Sequence, residues 1–126
     1  MVVDRPRVLI VEDNQEIREL IRQFLDLQGF DVVGSAADGA EGADLYHQTK
    51  PDAIVSDLRM PNVDGLELAQ LVRAADNETA IVVFTAHDRD EVRMRALSEL
   101  PKTMMVAKGR LKDLAPAITQ LLEPEE

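Results

Sequence analysis

Val8-Leu9-Ile10-Val11-Glu12-Asp13-Asn14 is a run of four apolar residues that stops abruptly at two carboxylates. A short apolar run bounded by polar residues is the pattern of a strand buried on both faces, as in a parallel sheet. The same shape recurs three times. Ala53-Ile54-Val55-Ser56 runs into Asp57, Ala80-Ile81-Val82-Val83-Phe84 into Thr85, and Met104-Met105-Val106-Ala107 into Lys108. In an open α/β sheet, ligands bind in the crevice at the carboxyl ends of the strands. If these runs are parallel strands, their polar ends converge on one spot holding three carboxylates, one hydroxyl and one ammonium.

The segments between the runs carry helical spacing. Asn14 followed by Gln15-Glu16 opens a helix with an amide cap and an early acid. Ile17, Leu20, Ile21, Phe24 and Leu25 then fall on one face, and Gly29 stands where a helix ends. Asp31 to Ala36 reads as a second strand. Asp38 or Gly39 opens a weaker helix through Ala43, Leu45 and Tyr46 that closes before Pro51. Leu66, Leu68, Ala69, Leu71 and Val72 make a third helix after a loop bearing Pro61, Asn62 and Gly65. The spacing predicts a fourth strand over Ala80 to Phe84 and a fourth helix over Arg89 to Leu100. It predicts a fifth strand over Thr103 to Ala107 and a final helix from Asp113 to Leu122, with Pro116 in its first turn. Strands alternating with helices give an α/β sandwich with a parallel sheet, and right-handed crossovers put helices on both faces. Periodicity leaves the strand order open.

Composition bounds the function. The chain has 126 residues, 45% hydrophobic and 30% charged, and reads as a single domain with a core from about residue 7 to 122. It has no cysteine, which excludes disulfide and thiolate chemistry. The start Met1-Val2-Val3-Asp4-Arg5-Pro6 lacks a cleavable signal pattern, and no apolar run approaches the roughly 20 residues of a membrane span. A cytoplasmic setting without membrane contact is the expectation. The net charge of −10 argues against a nucleic-acid surface.

Strand-end Asp and Glu without His or Cys nearby are hard oxygen ligands and suit Mg²⁺. An Asp can also accept a phosphoryl group as nucleophile. Phosphoryl transfer is mostly positioning plus charge neutralisation, which a divalent ion, a Lys and a Thr hydroxyl supply.

These motifs together resemble the response-regulator receiver domain of two-component signalling, in its single-domain, chemotaxis-regulator-like form. The resemblance rests on Val8 to Asn14, on Asp57-Leu58-Arg59-Met60-Pro61-Asn62-Val63-Asp64-Gly65, on Phe84-Thr85-Ala86 and on Lys108, and spans about Arg7 to Leu122. It implies a flavodoxin-like, doubly wound, five-stranded parallel sheet with helices on both faces. It implies that Asp57 takes a phosphoryl group from a phosphohistidine on a sensor histidine kinase or phosphotransfer protein. It implies that Glu12, Asp13, Asp57 and the backbone carbonyl of Arg59 hold Mg²⁺. Thr85 and Lys108 would contact the phosphoryl oxygens. Arg59 and His87, two residues after Asp57 and Thr85, would tune the phosphoryl lifetime.

The chain also departs from the family. Lys108-Gly109 replaces the usual Lys-Pro, leaving that loop freer. Met105 occupies the position of the switch aromatic, so any coupling there runs through a flexible thioether. Leu100-Pro101-Lys102 replaces a small, glycine-bearing turn. All three changes fall on the fourth helix, fifth strand and fifth helix, the face that usually signals.

Each site residue has an ordinary alternative. Glu12 and Asp13 can cap the first helix, Asp57 can end a strand as a turn residue, Thr85 can be a β-branched strand residue, and Lys108 a surface lysine. Arg59, His47 and His87 can be solvated side chains. A haloacid-dehalogenase-type hydrolase would want a second Asp where Arg59 stands. A flavin or nucleotide site would be repelled by Glu12-Asp13. A degenerate receiver that only binds partners is the remaining alternative. The expected output is a downstream protein contact, made as a monomer or a phosphorylation-dependent homodimer, with no direct nucleic-acid contact.

Overall fold

The computed structural model describes residues 5–86 and 89–124. The strands are β1 (Arg7–Val11), β2 (Asp31–Ala36), β3 (Ala53–Ser56), β4 (Ala80–Thr85) and β5 (Thr103–Ala107). The helices are α1 (Gln15–Leu27), α2 (Gly39–Thr49), α3 (Gly65–Ala75), α4 (Glu91–Ser98) and α5 (Leu114–Leu122), with a 3₁₀ turn at Leu111–Asp113. All pairings are parallel, in the order β2-β1-β3-β4-β5. This is the flavodoxin-like doubly wound sheet, whose strand order reverses between β1 and β3.

Strand alternation divides the core into two layers. Val8, Ile10, Val55, Val82 and Phe84 pack with Ile21 and Leu25 of α1 and Leu114, Ala117 and Ile118 of α5. Their neighbours Leu9, Val11, Ile54, Ile81 and Val83 point the other way, onto Tyr46 of α2, Leu68, Ala69 and Val72 of α3 and Leu97 of α4. The central strands are thus apolar on both faces, which is why they read as unbroken runs.

Local chemistry fixes the helix ends. Asn14 caps α1 by accepting from the Ile17 N–H at 3.0 Å. At its other end Gly29 has φ 91°, and the Phe30 N–H donates to Leu25 O at 3.0 Å while the Gly29 N–H donates to Asp26 O at 3.2 Å. This is a Schellman closure of the kind that favours glycine. α4 is shorter than the expected Arg89 to Leu100. Asp90 caps it by accepting from the Arg93 N–H, and Glu99 and Leu100 leave the helix through N–H bonds to Ala96 O and Leu97 O, three residues back. Pro101 disfavours helical backbone at Leu100. β4 runs one residue further than expected, to Thr85. Pro116 lies third in α5, where its missing N–H has no intrahelical partner to lose.

The turn at Leu100-Pro101-Lys102 works without glycine. Lys102 takes a left-handed φ of 51°. Arg73 at the end of α3 donates to Pro101 O at 2.5 Å and to Lys102 O at 2.9 Å, and also reaches Thr79 O and Asp76 O. One guanidinium thereby ties α3 to the entries of β4 and β5.

Candidate functional site

The sheet ladder carries the site residues to one edge. Asp57 leaves β3 with its N–H donating to Val11 O at 2.9 Å, and Glu12 leaves β1 with its N–H donating to Ala36 O at 3.0 Å. Thr85 pairs with Ala107 across β4 and β5, and the Lys108 N–H donates to Thr85 O at 3.1 Å. Gly109 therefore does not leave Lys108 unanchored, and a Cβ at that glycine would meet nothing within 4 Å.

Glu12 is 1% exposed, Asp57 5% and Thr85 2%, while Asp13 is exposed. One carboxylate oxygen from each of Glu12, Asp13 and Asp57 lies within 4.8 Å of the others. The Lys108 ammonium stands between two of them, 2.9 Å from Asp57 Oδ2 and 2.9 Å from Glu12 Oε1. The contact with Asp57 is a hydrogen bond. Asp57 Oδ1 also accepts from the Leu58 N–H at 2.7 Å, and Glu12 Oε2 from the Asn14 N–H at 3.1 Å. Glu12 Oε1 receives no aligned hydrogen bond among the described residues, although the ammonium is close.

Electrostatics follow from this crowding. Burial raises the Glu12 carboxyl above its ordinary range, and the Asp13 and Asp57 carboxylates push the same way; the Asn14 N–H and Lys108 oppose them without cancelling the rise. For Lys108 burial pulls downward, but the Asp57 and Glu12 carboxylates outweigh it and hold the ammonium charged. A buried carboxylate oxygen without an aligned donor, beside two further acids, fits a hard divalent cation better than a finished hydrogen-bond network. Glu12, Asp13 and Asp57 are the side chains that can hold one.

The loop after β3 is shaped by Gly65, the first residue of α3. A Cβ there would lie 2.2 Å from Asp57 O and 2.8 Å from Leu58 Cα. The Gly65 N–H donates to Leu58 O at 2.7 Å. Asp64 caps α3 in a capping box with Glu67, so Asp64-Gly65 is a helix start pressed onto the backbone of Asp57.

The remaining expected positions divide. Arg59 is exposed, and its guanidinium pairs with Asp90 at 2.9 Å. Met105 is half-buried and, with Met60, Met94 and Leu100, packs against the apolar layer on the α2–α4 face. His47 is exposed. His87 lies outside the described residues. Sequence reading missed Asp90, because its cap was placed inside a longer helix. Its signal was an acid immediately before Glu91 and three residues before Arg93.

Fold and site together define a flavodoxin-like domain that gathers three acids, a threonine and one lysine at the carboxyl edge of its sheet. The chain belongs to the response regulator receiver domain family, which it matches over residues 8–118. It is 38% identical over 91 residues to the response regulator MprA of Mycobacterium sp. (strain KMS), covering 72% of this chain and 39% of that protein. It is 34% identical over 120 residues to the transcriptional regulatory protein PrrA of Mycobacterium leprae (strain TN), covering 95% of this chain and 51% of that protein. The chain thus spans about half or less of the curated relatives it matches. A two-component response regulator of the LuxR family from Aurantimonas sp. SI85-9A1 superposes with a TM-score of 0.84 at 31% identity, covering 94% of this chain and 85% of that one. The chain is a receiver domain of two-component signalling. Among the described residues, no helix is long and apolar enough to cross a membrane.

Proposed function

We propose that residues 1–126 form one receiver domain that works as a phosphorylation-controlled switch with Asp57 as phosphoacceptor. The observation that carries this is the buried Asp57 carboxylate, hydrogen-bonded to Lys108 and grouped with Glu12 and Asp13. An Asp57 oxygen attacks the phosphorus of a phosphohistidine on a sensor kinase or phosphotransfer protein. The P–N bond breaks, the imidazole leaves with a proton, and an acyl phosphate remains on Asp57. Mg²⁺, held by Glu12, Asp13, Asp57 and the Arg59 carbonyl, would neutralise charge on the transferred group. Lys108 takes one phosphoryl oxygen while its backbone stays hooked to β4. The Thr85 hydroxyl takes another. Attack of water on the acyl phosphate resets the domain.

The added charge of about −1.5 to −2 changes which conformation is stable, and the α4–β5–α5 face presents that change to a downstream protein. The acidic surface suits a protein contact rather than nucleic acid, and a cytoplasmic setting fits both the kinase and Mg²⁺. The domain acts as a monomer or a phosphorylation-dependent homodimer.

The test is intact-mass analysis after incubation with phosphoramidate and Mg²⁺. One phosphate adduct that requires Mg²⁺ and is absent from Asp57→Asn supports the switch. No adduct, with partner binding unaffected by Asp57→Asn, supports a phosphorylation-independent binding module instead.

A further inference from the structure

The four-residue ion network around Asp90 has a geometry that the phosphoacceptor chemistry does not require. Arg59 Nη2 donates to Asp90 Oδ2 at 2.9 Å, and Arg93 Nη1 reaches the same oxygen at 3.2 Å. Arg93 Nε donates to Asp64 Oδ2 at 3.0 Å. Asp64 and Asp90 are the caps of α3 and α4. Both acids are largely shielded, while both arginines are about half exposed. The loop two residues beyond Asp57 is thus tied by charge to the first turn of α4.

Apart from Met94, half-buried against the α2–α4 layer, little apolar contact holds that turn. Leu97, near the far end of α4, is its only buried residue, and Val92 in the first turn is 80% exposed. α4 is held at its start by ion pairs and the half-buried Met94, and near its end by Leu97. A charge change beside Arg59 therefore acts on an attachment made largely of ion pairs.

We infer that Asp90 is a positioning residue that holds Arg59 in the unphosphorylated protein, and that a phosphoryl group on Asp57 competes for this guanidinium and loosens the start of α4. This rests on the Asp57 reading above. Guanidinium–phosphoryl pairing is charge-assisted and bidentate, so a dianionic group two residues away is a stronger partner than one oxygen shared with Arg93. The coupling is reciprocal. If phosphorylation weakens the Arg59–Asp90 pair, loss of that pair favours the phosphorylated state by the same free energy. It also offers a route from site to α4 that needs no aromatic at Met105.

The test uses Asp90→Ser, which keeps a capping hydroxyl on α4 but cannot pair with Arg59, with Arg59→Gln and the double variant. Each is labelled with phosphoramidate and Mg²⁺. The fraction carrying phosphate on Asp57 and hydrogen exchange at residues 91–94 are read by mass spectrometry. A part-exposed ion pair is worth about a two- to fivefold shift. Asp90→Ser should raise the ratio of labelled to unlabelled protein by that factor, and only when Arg59 is present. Phosphorylation should speed exchange at 91–94 in the wild type and not in Arg59→Gln. Equal effects of Asp90→Ser with and without Arg59, or unchanged exchange on labelling, overturn the inference. Failure of every variant, wild type included, to take up phosphate at Asp57 removes the phosphoacceptor reading and this inference with it.

Discussion

Gly65→Ala tests the positioning of Asp57 without touching a charged group. The added methyl would sit 2.2 Å from Asp57 O and 2.8 Å from Leu58 Cα. Ordinary contact begins near 3.4 Å, so the backbone must yield by about 1 Å, and both obstacles are main chain rather than a flexible side-chain tip. Overpacking costs about 1–3 kcal/mol, and a backbone obstacle belongs at the upper end. Reduced freedom of the unfolded chain returns about 0.4–1 kcal/mol. The net is a loss of about 2 kcal/mol, which lowers the urea midpoint by about 1 M for a chain of this size. Because the displaced atom is the Asp57 carbonyl, the rate of phosphoramidate labelling should fall more than stability alone explains, even in water where the variant is still folded. Gly109→Ala is the control. Its methyl meets nothing within 4 Å and the residue is not among those with positive φ, so its midpoint should hold or rise slightly. A Gly65→Ala protein with wild-type midpoint and labelling rate would refute the claim that α3 is pressed onto the acid loop.

Three further outcomes follow from the contacts. Lys108→Met leaves Glu12 and Asp57 without their shared cation; breaking a buried pair costs about 3–5 kcal/mol, and partial exposure of the ammonium lowers this to about 2 kcal/mol, read by urea unfolding and partly recovered on adding Mg²⁺. Arg73→Ala removes the donors to Pro101 O, Asp76 O, Thr79 O and Lys102 O, and should cost about 3 kcal/mol by the same assay while leaving labelling at Asp57 intact. Burial would raise Asp76, but hydrogen bonds from Tyr46, the Thr79 and Glu78 amides and the Thr79 hydroxyl bring it down to about 2. A depressed acid stabilises the fold above its unfolded value near 3.8 and loses that stabilisation as pH falls toward 2. After solvent screening this amounts to about 1 kcal/mol, absent in Asp76→Asn and measurable as a difference in acid unfolding between the two proteins.

The layered fold was legible because each central strand is buried on both faces and therefore announces itself as an apolar run ending in a polar residue. The strand order came with the resemblance and was not readable from periodicity, since a hydropathy pattern does not say which strands are neighbours. Glu12, Asp13, Asp57, Thr85 and Lys108 stood out because strand ends place them. What sequence missed is tertiary. Asp90 caps an α4 that starts two residues later than the expected Arg89, and it receives a guanidinium 31 residues away in sequence. Arg73 binds carbonyls in the loops that lead into β4 and β5, which no local pattern signals. Lys102 adopts a left-handed turn that composition assigns to glycine, held by that same arginine. Lys108 is anchored by the backbone bond to Thr85 and by two carboxylates, neither of which involves residue 109.

The most direct measurement is to locate the phosphoryl group chemically. Borohydride reduces an acyl phosphate on aspartate to homoserine, so peptide mapping after phosphoramidate labelling and reduction reports the modified position. Homoserine is expected at position 57, formed only with Mg²⁺ and lost when Lys108 is replaced. Homoserine at another acid, or none under conditions where phosphate is incorporated, would contradict it.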